Sequence, residues 1–357
     1  MSASLVFKAG ALALACASTA AASYVIKDDF SGSTFFDNFY FNDTLDPTHG
    51  FVEYIGAGDS RLSSLAYYDP STNTSIMRVD STKTYTPGVD LGRLSIRAQT
   101  NNVYQYGLFI LDLAHMPGGA CGSWPAFWTT SNDHWPEQGE IDIIENVNFA
   151  TYSEETLHAG PTFPGDLCEV VGNVNTLPNG QQTGMQTSYN CMWNATTSDY
   201  GSKTQYSGQG CSANNNNANN FGSDFNLVGG GVYAMEWSDE IIQMWSWQNG
   251  LAPGDIANGT PDPTTWGNPI FTTWGGNCDI ARHFIDHIVI FDTTFCGDWG
   301  NAVWESTTCY QNDPVKYPTC ADYVGANPTD YAETYWEVRS LKVYEFQNPV
   351  VSSTSTT

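Results

Sequence analysis

Trp336-Glu337-Val338-Arg339-Ser340-Leu341-Lys342-Val343-Tyr344 alternates apolar and polar side chains. Successive side chains of a strand point to opposite faces, so this reads as a strand with one face buried and one wet. The same pattern recurs in Leu94-Ser95-Ile96-Arg97, in Val103-Tyr104-Gln105-Tyr106-Gly107-Leu108-Phe109 and in Ile285-Asp286-His287-Ile288-Val289-Ile290. Long helical periodicity is absent. Short alternating segments between turn signals predict an all-β fold, an antiparallel sandwich or barrel. No fixed-period repeat is visible, which argues against a propeller or solenoid. Alternating strands occur near both ends and no linker divides them, so one domain is expected over residues 23–346.

Composition narrows the class. The 357 residues are 14% charged, against roughly 25% in an average soluble domain, and 14% aromatic. Such aromatic content excludes a disordered chain, and the scarcity of charge excludes a coiled coil. Lys and Arg number 12 against 38 Asp and Glu, a net charge of −26. A chain this acidic repels phosphate backbones, sulfated polymers and anionic lipid surfaces, so nucleic acid is excluded as a partner and a neutral one is expected.

The N-terminus reads as a secretory signal over residues 1–22. Lys8 gives the positive region, Ala9 to Ala17 a short apolar run, and Ala20-Ala21-Ala22 a small-residue cleavage site. No stretch reaches the length of a membrane span. Cys16 leaves with the signal. Eight cysteines remain, an even number that implies up to four disulfides in a secreted chain; their pairing is not readable from spacing. Sequons at Asn42, Asn73, Asn194 and Asn258 agree with secretion. Residues 347–357 read as a Ser/Thr-rich tail. The expected location is extracellular or the cell wall, and the expected state a monomer.

The chemistry is concentrated in Gly139-Glu140-Ile141-Asp142-Ile143-Ile144-Glu145-Asn146-Val147. On a strand, Glu140 and Asp142 share a face and the isoleucines oppose them. Strict alternation would put Glu145 on the wrong face. A bulge near Ile143-Ile144 restores the phase and brings all three acids together. A solvated acidic face is the bland alternative. Clustered, half-buried acids repel one another and hold protons, which is costly in a merely structural strand. Glycosidic cleavage needs this arrangement: one carboxylate attacks the anomeric carbon and a second, protonated, gives its proton to the leaving oxygen. On a flat strand the outer pair lie about 13 Å apart, so a concave sheet is needed to bring their tips toward the ~5–5.5 Å of a retaining pair.

Glu140-Ile-Asp142-Ile-Ile-Glu145 resembles the ExDxxE signature of glycoside hydrolase family 16, in the longer spacing of its laminarinase branch. The resemblance to fungal endo-1,3(4)-β-glucanases extends over nearly the whole mature chain. It is carried by Asp46-Pro47-Thr48-His49-Gly50, Gly122-Ser123-Trp124-Pro125-Ala126-Phe127-Trp128, Trp135-Pro136, Thr156-Leu157-His158 and Phe295-Cys296-Gly297-Asp298-Trp299. It implies a β-jelly-roll sandwich of two antiparallel sheets with a concave substrate cleft. It also implies Glu140 as nucleophile, Asp142 as its assistant and Glu145 as acid/base. Trp128, Trp135 and Trp299 would stack on sugar rings, and His158 and Arg93 would contact substrate. Trp124 is left between platform and core. Trp237 and Trp274 depart from the closest relatives and either add stacking surface or pack.

The resulting expectation is a retaining endo-β-glucanase acting on β-1,3- and mixed β-1,3/1,4-glucans, with an acidic pH optimum and no cofactor. A transglycosylase using the same carboxylates is the alternative. A glucan-binding module without catalysis is disfavoured by the presence of all three acids, and sulfated-galactan hydrolysis by the scarcity of Lys and Arg.

Overall fold

The computed structural model describes residues 23–170, 182–197, 204–273 and 277–347. The expected tail and signal, and Trp274, lie outside them, apart from Gln347. Two eight-stranded sheets, antiparallel throughout, make up most of the structure. No described helix exceeds seven residues, and none is long and apolar enough to cross a membrane.

The first sheet runs Phe271–Thr272, Ile242–Gln248, Gly231–Trp237, Gly107–His115, Tyr335–Gln347, Thr74–Arg78, Ala66–Asp69, with Ser23–Ser31 also paired to Tyr335–Gln347. The 13-residue Tyr335–Gln347 strand is central. Its alternation is not continuous: the register shifts between Val338 and Ser340. Trp336 and Val338 before the shift, and Leu341 and Val343 after it, all face the core. Regular alternation would have turned one of these pairs to solvent, so the irregularity is what keeps both inside.

The second sheet runs Met185–Gln186, Cys211–Asn214, Glu154–His158, Glu140–Glu145, Ser123–Ser131, His287–Phe295, Arg97–Thr100, Phe39–Phe41. Its inner face contributes Phe127, Ile141, Ile143, Ile144, Leu157, Val289 and Phe291 to the core, against Phe109, Leu111, Met235, Trp237 and Met244 of the first sheet. Trp237, 1% exposed, packs edge-on to Tyr106 and beside His287; it is core and adds no stacking surface.

The eight cysteines among the described residues all pair: Cys121–Cys309, Cys168–Cys278, Cys191–Cys211 and Cys296–Cys320. The first and last join the short helices between Gly297 and Ala326 to the sandwich, where Cys121, Phe295, Trp304, Val324 and Tyr331 form a second apolar cluster.

Candidate active site

The outer face of the second sheet carries the acids. Glu140–Glu145 pairs with Ser123–Ser131, matching Glu140 to Thr130 and Asp142 to Trp128. The register then shifts between Asp142 and Ile144, so that Glu145 falls opposite Ala126. This is the expected bulge. One extra residue returns Glu145 to the face of Glu140 and Asp142, while Ile141, Ile143 and Ile144 stay in the core. Gly139 enters the strand at φ +80°, and a Cβ there would lie 2.3 Å from the His283 carbonyl oxygen. Only glycine fits both the angle and the space.

Each acid has its own surroundings. Trp124 Nε1 donates to Glu145 Oε1 at 2.7 Å. Trp135 lies near Glu140 and favours its charged form. His158, paired with Glu140 across the strands, places Nε2 3.3 Å from Asp142 Oδ2 and 3.9 Å from Glu140 Oε1. One ligand atom each from Glu140, Asp142 and His158 lie within 4.8 Å of one another, a spacing that suits either a shared cation or an imidazolium held by two carboxylates. Gly210, at φ +64°, lets the returning loop pass His158: a Cβ would lie 2.8 Å from Nδ1.

Burial and the charge of Asp142 push Glu145 well above the usual carboxylate range, and the charge of Glu140 adds to this. Burial, then Asp142, pushes Glu140 up to about 8, opposed by His158 and Arg97. Burial alone would lower His158, but Asp142 and Glu140 outweigh it and its pKa is raised. The cluster therefore retains protons near neutrality beside at least one charged neighbour, which is what paired acid and nucleophile chemistry requires.

Around the acids, Trp124 and Trp299 meet edge to face at 5.6 Å between ring centroids. Trp128 and Trp299 are half-buried, and Trp135 is 49% exposed. Arg93 is elsewhere. It is fully buried, donates to the carbonyls of Asp80, Lys83 and Val324, and lies against the rings of Tyr85 and Tyr331. This corrects the expectation of a substrate contact: sealed among carbonyls and phenols, its guanidinium has no path to a ligand. Arg97 is the arginine of the open face. It lies over Trp128, 5.0 Å from the ring centroid, and 4.0 Å from Asp292, which is opposite it in the sheet. A recess of about 230 Å³ lies beside it, lined by Asn42, Pro47, Gln99, Thr130 and Ile288. Alternation sets Arg97 opposite the core-facing Leu94 and Ile96; it sets Arg93 there too, and what seals Arg93 is the cover of Tyr85, Tyr331 and the Val324 carbonyl.

A family model described as the XgeA-like catalytic domain of glycoside hydrolase family 16 matches residues 39–344. The chain belongs to glycoside hydrolase family 16. An endo-1,3(4)-β-glucanase of Arthroderma benhamiae is 36% identical over 335 residues, covering 93% of this chain and 67% of the relative. An elongating family 16 β-1,3-glucosyltransferase superposes with a TM-score of 0.78 at 36% identity, over 90% of this chain and 100% of that one. Laminarinase 16A of Phanerochaete chrysosporium, solved with β-glucans in donor and acceptor sites, gives 0.76 at 34% identity, over 90% and 100%. This family 16 member is a glycoside hydrolase, and its sandwich is the jelly roll of these laminarinases.

Proposed function

We propose that the chain is a secreted, endo-acting, retaining β-glucanase cleaving β-1,3- and mixed β-1,3/1,4-glucans. The observation that carries this is the bulged strand that presents Glu140, Asp142 and Glu145 on one face, with burial keeping protons in the cluster. The Glu140 carboxylate attacks the anomeric carbon as the glycosidic C–O bond breaks, and Glu145 passes its proton to the departing oxygen. Glu145 then takes a proton from water, whose oxygen displaces Glu140. Asp142 and His158 hold Glu140 in place. Trp128, Trp135 and Trp299 stack on sugar rings, with Trp124 orienting Glu145 and Arg97 hydrogen-bonding sugar hydroxyls. A neutral glucan suits a chain of net charge −26. Four disulfides, the Lys8 to Ala22 segment and sequon asparagines exposed at 73, 194 and 258 support secretion. The described acids and platforms come from one chain, so a monomer suffices.

The test is the configuration of the first product. Proton NMR in the opening minutes of laminarin hydrolysis should show β-anomeric reducing ends; initial α-anomers would overturn the double displacement. A second reading, transfer of the glycosyl group to another sugar, is favoured by the likeness to the elongating glucosyltransferase. It predicts oligosaccharides longer than the substrate in mass spectra, whereas hydrolysis gives only shorter ones.

A further inference from the structure

Residues 191–197 and 204–211, joined by the Cys191–Cys211 disulfide, form a rim on the second sheet. Trp193 is anchored in that rim by its backbone. Its N–H donates to the Ala159 carbonyl at 2.8 Å, and its carbonyl accepts from Gly208 N–H at 2.6 Å. Ala159 follows His158, which is paired with Glu140, so the rim is fixed beside the nucleophile's strand. The Trp193 ring is half-buried. Its centroid is 5.9 Å from that of Trp135, and the two planes are inclined at 55°. Trp135 is 49% exposed and lies near Glu140, favouring its charged form. Neither indole belongs to the apolar clusters that hold the sandwich together.

We infer that Trp193 is a second sugar platform continuing from Trp135, and that the pair selects a glucan that turns between residues, β-1,3-linked rather than β-1,4-linked. This rests on the glucanase reading and adds to it a residue and a linkage preference. Aromatic faces bind the C–H faces of pyranose rings by stacking. A β-1,4-linked run is a flat ribbon, so it can lie on one of two inclined planes but not on both. A β-1,3 linkage swings the next ring out of the plane of the last, which two platforms inclined at 55° accommodate. The rival explanation is that Trp193 only braces Trp135.

Trp193→Leu keeps apolar bulk against Trp135 but removes the flat face, whereas Trp193→Phe keeps a face. With thermal midpoints as a folding check, kcat/KM is measured on laminarihexaose and on mixed β-1,3/1,4-glucan. The Leu variant should lose roughly five- to ten-fold on laminarihexaose, mainly through KM. Its ratio of laminarihexaose to mixed-linkage activity should fall, while Phe retains most of it. An unmoved ratio, or an equal loss on both substrates through kcat, overturns the inference. A wild-type protein inert on both sinks the glucanase reading as well. Independently of the Leu variant, laminarihexaose should shift the tryptophan emission of the Glu140→Gln protein, and this shift should shrink in Glu140→Gln/Trp193→Phe. An undiminished shift contradicts the platform.

Discussion

Which acid carries charge in the cleft is decided by the groups within a few ångströms of it. Glu145 sits beside Asp142 and its pKa is raised, as suits the proton donor proposed for it. Glu140, the proposed nucleophile, would have to be ionised to attack, yet burial and Asp142 push it up to about 8. Protonated His158, between Asp142 and Glu140, opposes that push, so the acids and the imidazole titrate as one system. The working range is bounded on the acid side by ionisation of Glu140 and on the alkaline side by loss of the Glu145 proton. His158→Gln removes the cation and leaves Glu140 harder to ionise. The acid limb of the kcat/KM profile should then move to higher pH by about one unit, with roughly a ten-fold loss on that limb. A limb that stays in place would show that His158 acts by shape alone.

At the scale of the element, one extra residue between Asp142 and Glu145 is tolerated because the sheet absorbs it as a bulge. Deleting Ile144 should remove the bulge and keep the three acids on one face, because the shortened segment alternates strictly. Inserting a further isoleucine after Ile144 should also restore strict alternation, but it carries Glu145 two residues, about 6.6 Å, further along the strand from Asp142. Activity is expected to survive the deletion at a reduced level and to fall at least about 10³-fold further on insertion, since the displaced carboxyl no longer reaches the bond on which Glu140 acts. Assays on variants shown folded by circular dichroism decide it; comparable activities in the two would contradict this account of the bulge. Glu154 and Glu155 illustrate the same geometry in reverse. Neighbours on a strand cannot share a face. Glu154 therefore lines the outer face, while Glu155, 0% exposed, is forced among core residues beside Asn215.

Across the whole molecule, the buried acids outnumber what the scarce cations can neutralise. Burial raises Glu155 and Glu145 well above the usual range, and raises Glu154, Glu236 and, to about 7, Asp292. The folded chain thus binds more protons than the unfolded one between the ordinary carboxylate pKa and these raised values, so stability falls as pH rises through that window. Below it, Asp80 and Asp166, held low by hydroxyl and backbone donors, are protonated and their contribution is lost. Thermal midpoints should peak between about pH 4 and 6 and drop by several degrees toward pH 8. Glu155→Gln, which has no charge to bury, should raise stability at pH 8 by roughly 1–3 kcal/mol and by less at pH 5. Scanning calorimetry at both pH values measures this; an equal gain at each would locate the effect in packing.

Much of this was legible in residue order because strands have a period of two. Alternation marked the sheets, and the misfit of Glu145 to that period marked its bulge before any coordinate. The spacing of Glu140, Asp142 and Glu145 predicted a bulged strand, and the register has it, because a single strand carries all three. What adjacency in the chain could not supply was the company each residue keeps across strands. Arg93 and Arg97 lie four residues apart, yet one ends sealed among carbonyls and the other on the open face, since Arg97 pairs into the second sheet whereas Arg93–Ser95 pairs with Val52–Tyr54 in a separate two-stranded sheet. Trp237 packs in the core and Trp193 on the rim, although both are simply tryptophans to a reader of sequence. Local periodicity is a property of the backbone and is written in the chain itself. Burial, charge state and accessibility depend on neighbours brought from distant positions, and only the packed sandwich decides them.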